Sequence, residues 1–160
     1  MIHIKEKVKI NKPIEDVWAV LYGDFANIGN WATGIYHSRP GTTDENLDRV
    51  CTTFTGKLYE KFNSVDEENY TFDVDVEGLP FFVESAHGGW TLNKIDDGST
   101  DGTVEFQVTT KGIIGKIMQV PMKSKLTSGF RETLEDVVAY IETGKVSDKK
   151  QAELAKKKSS

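Results

Sequence analysis

Apolar and polar residues alternate along the first ten positions of the chain, as they do in a β-strand with one buried face. The apolar side of this strand consists of Ile2, Ile4, Val8 and Ile10. After Pro13 the apolar spacing lengthens to three and four residues, which is the stripe of an amphipathic helix. That stripe consists of Ile14, Val17, Trp18 and Leu21. The pattern therefore predicts a strand followed at once by a helix.

A second short helix is expected directly after the first. Gly23 favours the end of the first helix, and Asp24 is suited to cap the next one. The second helix would carry Phe25, Ile28 and Trp31. We therefore expect two short helices back to back between the first and second strands.

Runs with a period of two, rich in β-branched and aromatic residues, fill most of the region from residue 33 to 112. They read RVCTTFTG, KLYEKFNSV, NYTFDVDVEG, VESAHGGWTLNKI and TVEFQVTTKG. Short turn segments, most of them rich in Gly, Asp or Asn, separate them, and strands joined in this way pair antiparallel. Gly88 and Gly89 predict a bulge that bends the sheet.

A final helical stripe runs through the last third of the chain, and Gly144 favours its end. The stripe consists of Leu126, Phe130, Leu134, Val137, Val138 and Ile141. Because proline disrupts a helix interior, Pro121 predicts the start of this helix or a kink, with residues 113–120 as a separate turn or short helix. We expect one domain over residues 1–145 and a charged, solvated or frayed tail over residues 146–160.

Composition and charge exclude several classes of function. The 160 residues suffice for one domain with a sizeable core. A formal net charge of −5 disfavours nucleic-acid binding, which needs a basic face. The single cysteine, Cys51, allows no intramolecular disulfide, and the first residues lack the apolar segment of a signal peptide or membrane span. We expect a cytoplasmic protein without a metal or other cofactor and without stable membrane insertion; the oligomeric state stays open.

Residues 73–84, DVDVEGLPFFVE, place carboxylates at a spacing similar to that of a calcium-binding loop. Pro80 and the strand-like alternation of the flanking residues argue against such a loop. We therefore interpret Asp73, Asp75 and Glu77 as the solvent face of a strand.

Two stretches carry a resemblance to a known superfamily. The first, KPIEDVWAVLYGDFANIGNW, has a Val-Trp pair, an Asp-Phe pair and a later Trp; the second, GKLYEKFNSVDEENYTFDV, has a Glu-bearing strand, an acidic turn and an aromatic strand. With the order of elements, they resemble the START/SRPBCC helix-grip superfamily, which includes polyketide cyclase/dehydrase-like proteins and plant pathogenesis-related ligand carriers. The resemblance implies an α+β fold in which a curved seven-stranded antiparallel sheet wraps around a long C-terminal helix.

The resemblance also implies binding or transport of a small hydrophobic or amphipathic ligand in a cavity between sheet and helix. The candidate ligand contacts are Trp31, Glu60, Leu79, Phe81, Phe82, His87, Leu126, Phe130 and Leu134. Glu60 falls on the inward side of its strand and needs a partner, which Arg49 on the preceding strand is placed to supply. Leu79, Phe81 and Phe82 lie in a turn, where we interpret them as an apolar gate.

Structural roles remain alternatives for some of these residues. Trp31 would serve equally as core, His87 as an ordinary strand histidine and Glu60 as half of a surface salt bridge. Gly129 falls within the long helix, where glycine costs about 1 kcal/mol relative to alanine. Either a bound ligand or close packing would explain it.

Two other functions also stay open. Polyketide cyclases and aromatases share the resemblance, and Arg49, Tyr59, Glu60 and His87 are the candidate polar groups of such an enzyme. Strand alternation puts Tyr59 and Glu60 on opposite faces, and the HGGW run at residues 87–90 lacks an accompanying nucleophile elbow, so no catalytic constellation is evident. Co-chaperone relatives indicate an interaction module instead.

Overall fold

Seven antiparallel strands form one sheet in the order β1-β7-β6-β5-β4-β3-β2, as expected. The structure is a computed structural model and describes residues 1–159. The strands are β1 Ile2–Ile10, β2 His37–Pro40, β3 Arg49–Thr53, β4 Gly56–Asp66, β5 Thr71–Glu77, β6 Val83–Asp96 and β7 Ser99–Thr110. From β2 to β7 each strand pairs with the next along the chain, and β1 pairs with β7, so the first two strands form the two edges.

Two short helical pieces separate β1 from β2. Helix α1, Ile14–Trp18, continues into a π-helical turn, Ala19–Gly23, and a 3₁₀ helix, Phe25–Asn30, follows. We call residues 14–30 the plug. The expected stop at Gly23 is confirmed, but Asp24 makes no capping bond to the backbone; its carboxylate accepts a hydrogen bond from the Asn27 side chain at 2.6 Å.

Helix α2, Gly112–Thr143, is the long C-terminal helix, and Pro121 lies inside it. The prediction that residues 113–120 form a separate element is therefore wrong. Proline removes one backbone donor, but buried Gly115 before it and partly buried Met122 after it lie on one side of the helix. Contact with the rest of the protein on both sides of the proline holds the helix together.

Helix α3, Asp148–Ser159, occupies most of the segment that the sequence assigned to a solvated or frayed tail. That expectation is wrong for these residues. Lys150 is fully buried, its ammonium donates to the carbonyl oxygens of Ala32 and Ile35 at 2.9 Å each, and it pairs with Glu153. Polar contacts hold α3 in place, so its sequence has no apolar stripe from which a packed helix could be predicted.

Two apolar clusters pack between the sheet and the helices. The cluster at the plug end contains Ile10, Ile14, Val17, Leu21, Phe25, Trp31, Ala32, Phe72, Val74, Leu92 and Val137. The second cluster contains Ile2, Ile4, Ala86 and Val108, with Leu79, Val83, Met122, Leu126 and Phe130 packed against it. Trp18 stacks on Tyr22 with ring centroids 4.7 Å apart, so its role is structural.

Gly88 and Gly89 do not form the expected bulge, because the pairing of β6 with both neighbours is continuous through them. The register shifts of β6 fall instead between residues 83 and 85 and between 94 and 96. A Cβ atom at Gly88 would lie 2.1 Å from the carbonyl oxygen of Glu105, and one at Gly89 1.8 Å from that of Phe72. The two glycines thus permit backbone contacts that any side chain would block.

None of the helices within residues 1–159 combines the length and the hydrophobicity needed to span a bilayer.

Candidate functional site

A cavity of about 50 Å³ lies at the plug end, between the plug, the sheet and α2. Its aromatic walls are Phe25, Trp31, Phe72, Trp90 and Phe106. The polar residues that border it are Asp24, Arg49, Glu60 and Thr133. One water needs about 10–15 Å³ of such space, so the cavity has room for roughly three to five waters.

The pairing of the strands places the aromatic walls on one face of the sheet. Phe72 of β5 lies opposite Trp90 of β6, and Gly88 lies opposite Phe106 of β7. A Cβ at Gly88 would come 2.6 Å from Cγ of Phe106. Glycine at this position therefore leaves room for the Phe106 ring.

Arg49 and Glu60 form a buried ion pair across the β3–β4 hairpin. They are direct cross-strand partners, with Nε to Oε2 at 2.5 Å and Nη2 to Oε1 at 2.8 Å, and each side chain is 9% exposed. The third donor, Nη1, bonds the Phe25 carbonyl at 2.8 Å, and the guanidinium carbon lies 3.7 Å from the Phe25 ring centroid. The predicted pairing of Glu60 with Arg49 is confirmed, and the surface alternative for it is wrong.

Cys51 adjoins this pair, and its thiol donates to Oε2 of Glu60 at 3.4 Å. Burial above all, and the neighbouring Glu60, raise the pKa of the Cys51 thiol to about 12, although the charge of Arg49 opposes this rise. Burial lowers the pKa of the Arg49 guanidinium, but the charge and hydrogen bonds of Glu60 outweigh that effect and its pKa is raised. The site therefore holds a charged but mutually neutralised pair beside a protonated, weakly nucleophilic thiol.

Of the nine candidate ligand contacts, the structure brings Trp31 and Glu60 to the cavity. Trp31 is buried and stacks on Tyr140 of α2 with ring centroids 6.3 Å apart. It therefore belongs both to the core and to the cavity wall.

The other apolar candidates lie elsewhere. Leu79, Leu126 and Phe130 pack against the second cluster, and Leu134 is buried without bordering the cavity. In the turn before β6, Phe81 is 74% exposed and Phe82 packs edge-on against it, with centroids 5.6 Å apart. The proposed apolar gate is thus not part of this cavity's wall.

His87 lies on the opposite face of the sheet from the cavity. Its partners across the ladder are Asp75 and Gln107, whereas the adjacent Ala86 is buried in the second cluster. The structure does not bring it together with Glu60.

Sequence reasoning missed several residues that border the cavity. Thr133 lies seven residues after Leu126, so it is a polar residue on the helix face that the apolar stripe defined. Trp90 and Phe106 are large aromatics at alternating strand positions. Both signals were available in the sequence, but neither identifies a cavity without the pairing of strands.

The carboxylates of residues 73–84 are not a calcium site. Phe72 and Val74 of β5 are buried, while Asp75 and Glu77 are exposed, which confirms their interpretation as a strand's solvent face. No group of three His, Cys, Asp or Glu residues within residues 1–159 is arranged to hold a metal ion.

The family follows from a comparison with known sequences. The sequence model of the family described as polyketide cyclase/dehydrase and lipid transport matches residues 1–142. The chain belongs to this family. The match covers every strand, the plug and nearly all of α2, so α3 alone lies beyond it. No curated protein matches the sequence at a significant level.

Solved structures show the same fold at low sequence identity. The Zhui aromatase/cyclase from a Streptomyces species has a TM-score of 0.74 and 12% identity, over 91% of this chain and 98% of that one. The XoxI protein from Bacillus cereus has a TM-score of 0.71 and 15% identity, over 88% and 96% of the two chains. A START superfamily protein from Mycobacterium smegmatis has a TM-score of 0.71 and 10% identity, over 91% and 100%. The expected helix-grip fold is confirmed.

Proposed function

We propose that this member of the polyketide cyclase/dehydrase and lipid-transport family binds or carries a small, neutral aromatic molecule with a hydroxyl or carbonyl group. The observation that carries the proposal is an unfilled cavity bordered by five aromatic residues and by the buried pair of Arg49 and Glu60. Aromatic walls with few convergent polar groups are typical of small-molecule sites.

The cavity is too small for an aromatic ligand unless one of its walls moves. Typical ligand pockets measure about 300–1,000 Å³, so a cavity of about 50 Å³ must widen to admit an aromatic molecule. The plug is the least regular of its walls, because it contains a π-helical turn and a non-helical residue, Asn27. Movement of the plug, which contributes Val20 and Ile28 to the lining, would enlarge the cavity without breaking the sheet.

The electrostatics of the cavity favour a neutral ligand. The charges of Arg49 and Glu60 cancel, so a charged ligand would be desolvated without a counter-charge. A guanidinium has five N–H donors. In Arg49, three of them are used: two bond the Glu60 carboxylate and one bonds the Phe25 carbonyl. The donors that remain are suited to an uncharged oxygen.

A catalytic role has less support. The lining of the cavity within residues 1–159 contains no histidine, and Cys51 beside it keeps its proton at neutral pH because its pKa is about 12. The buried free thiol also fits a reducing compartment, so we propose a cytoplasmic location.

Binding of benzene, phenol and benzoate to the full chain tests the proposal. Titrations followed by amide NMR shifts should show phenol binding most tightly and benzoate least. Thr133→Leu should weaken phenol binding because it fills part of the cavity. Ser128→Leu also introduces a leucine, but on the exposed side of α2, and should leave phenol binding unaltered.

Glu60→Gln sharpens the test, because it leaves the Arg49 charge without its partner. This variant should shift the preference from phenol towards benzoate. Failure of all three compounds to bind the wild-type protein, or equal weakening by Thr133→Leu and Ser128→Leu, would contradict binding in this cavity.

A further inference from the structure

The first half of α2 carries an apolar stripe that faces solvent. Ile113, Ile117 and Val120 are 79%, 68% and 79% exposed. Their spacing of four and three residues places them on one side of the helix. Gly115 and Met122, which are buried and partly buried, mark the opposite side. Three large aliphatic side chains in a row along one helix face are more than the scattered apolar residues of an ordinary surface.

The turn before β6 extends this apolar surface. The backbone N–H of Lys111 donates to the carbonyl oxygen of Phe82 at 2.8 Å, so the turn is tied to the beginning of α2. In this turn Phe81 is 74% exposed, and Ile114 in the first turn of α2 is 50% exposed. We call these residues the apolar ridge: Phe81, Ile113, Ile114, Ile117 and Val120.

Lysines accompany the apolar ridge. Residues 106–131 contain four lysines and one arginine and no acidic residue, in a chain whose formal net charge is −5. The lysines are Lys111, Lys116, Lys123 and Lys125. Arg131 is paired with Glu6 at 3.2 Å, but within residues 1–159 none of the four lysines has an ion-pair partner.

The lysines flank the stripe on both sides. Lys116 and Lys123 are seven residues apart and therefore share one flank. Lys125 lies on the other flank, with its ammonium 4.5 Å from the ring centroid of Phe54. The result is an apolar line bordered by positive charge.

We propose that the apolar ridge and its lysines dock this protein on the surface of an anionic lipid bilayer. A helix that lies in the membrane interface presents its apolar side to the acyl boundary and its basic side chains to the headgroups. The apolar ridge supplies the apolar side, and the flanking lysines supply the basic side chains. The inference depends on this outer surface alone, so it is independent of what occupies the cavity.

Two other occupants fit the ridge less well. A second copy of the chain, related by a two-fold axis, would set the lysines of one copy against those of the other. An acidic protein would match the charge, but hot spots of protein interfaces are enriched in Trp, Tyr and Arg. The ridge offers none of these three residue types.

Co-sedimentation of the full chain with vesicles tests the proposal. The protein should bind equimolar phosphatidylcholine–phosphatidylglycerol vesicles at low salt, bind pure phosphatidylcholine far less, and release in high salt. The triple variant Ile113→Ser/Ile117→Ser/Val120→Ser should lose binding. The triple variant Lys111→Gln/Lys116→Gln/Lys123→Gln should bind about a hundredfold more weakly, at about fivefold per lysine.

Matched controls distinguish binding through this surface from attraction by positive charge elsewhere on the protein. Lys7→Gln/Lys9→Gln/Lys61→Gln removes three exposed lysines of β1 and β4, and Ile95→Ser removes an exposed apolar side chain of β6. Both should bind like wild type, and thermal melting should show that all variants fold.

Three results would overturn the proposal. One is the absence of wild-type binding to anionic vesicles at low salt. Another is equal weakening by the control lysine variant. The third is self-association in sedimentation experiments, abolished by the serine variant while vesicle binding is unchanged, which would identify a second copy as the occupant.

Discussion

Along α2, the C-terminal half is enclosed by other parts of the chain, whereas the N-terminal half presents isoleucines and lysines to solvent. In the enclosed half, the buried Asp136 accepts hydrogen bonds from the Thr33 backbone at 2.7 Å and from the Ser147 hydroxyl at 2.5 Å. In the other half, Ile117 is mostly exposed and Lys116 has no ion-pair partner within residues 1–159. One helix thus serves internal structure at one end and is available to an external partner at the other.

Helix α3, which follows the enclosed half, also holds a wall of the cavity in place. Buried charges are tolerated only when their hydrogen bonds and counter-charges are supplied, and Lys150 receives both from the residue 32–35 loop and from Glu153. That loop follows directly after Trp31, which borders the cavity. Helix α3 therefore acts on the cavity through the loop that it holds.

The largest contrast between enclosed and exposed positions is expected in thiol reactivity. Cys51 beside the cavity has a pKa of about 12 against an ordinary value of 9.0, so its reactive thiolate is about a thousandfold scarcer near neutral pH. In the Ile117→Cys variant the new thiol is exposed. Labelling with Ellman's reagent should show one fast and one very slow phase, and the slow phase should become fast in urea.

The same pKa gives a pH dependence of stability. The pKa of the Cys51 thiol is higher in the folded than in the unfolded protein. The stability that the buried, protonated thiol contributes is therefore fully present below pH 9.0 and is lost as the pH rises towards 12. Cys51→Ser should lack this part of the alkaline destabilisation. A single fast labelling phase in Ile117→Cys would show that Cys51 is not enclosed as described.

The next largest effect concerns the polar attachment of α3. Lys150→Met removes a buried ammonium and leaves the carbonyls of Ala32 and Ile35 and the carboxylate of Glu153 without their donor. We expect a loss of about 3 kcal/mol in the free energy of unfolding, measured with urea. Lys149→Met makes the same change at the adjacent, exposed residue, which pairs with Glu132, and should cost far less, because solvent screens a surface ion pair. Equal losses would mean that α3 is held by other contacts.

The sequence predicted the sheet, the plug and the Arg49–Glu60 pair because each depends on a regular period or on neighbouring strands. It failed at Pro121, where a local rule predicts a break that contacts on both sides of the proline overcome. It also failed at α3, because this helix is held by one buried lysine bonded to two distant carbonyls, and such contacts give no periodic apolar pattern in the sequence. The resemblance implied a cavity, but most of its lining was beyond sequence reasoning for a similar reason: which aromatic rings meet depends on the pairing of β5, β6 and β7.

The smallest effect distinguishes two glycines of α2. Gly129 is exposed, and a Cβ atom built there meets nothing within 4 Å, so neither a close-packed neighbour nor the sheet explains it. At Gly115 a Cβ would lie 2.9 Å from Cβ of Thr110 and 3.3 Å from the carbonyl oxygen of Phe82. Gly129→Ala should therefore stabilise the protein by about 1 kcal/mol through helix propensity alone.

Gly115→Ala should lower the free energy of unfolding by about 1–3 kcal/mol despite the same gain in propensity, because the helix must move away from Thr110 and the turn at Phe82. Urea unfolding of both variants measures the two changes with opposite signs. If both variants were stabilised equally, the start of α2 would not be held against that turn, and the inclusion of Phe81 in the apolar ridge would lose its support. Opposite signs would confirm that α2 is anchored at the end from which its exposed stripe begins.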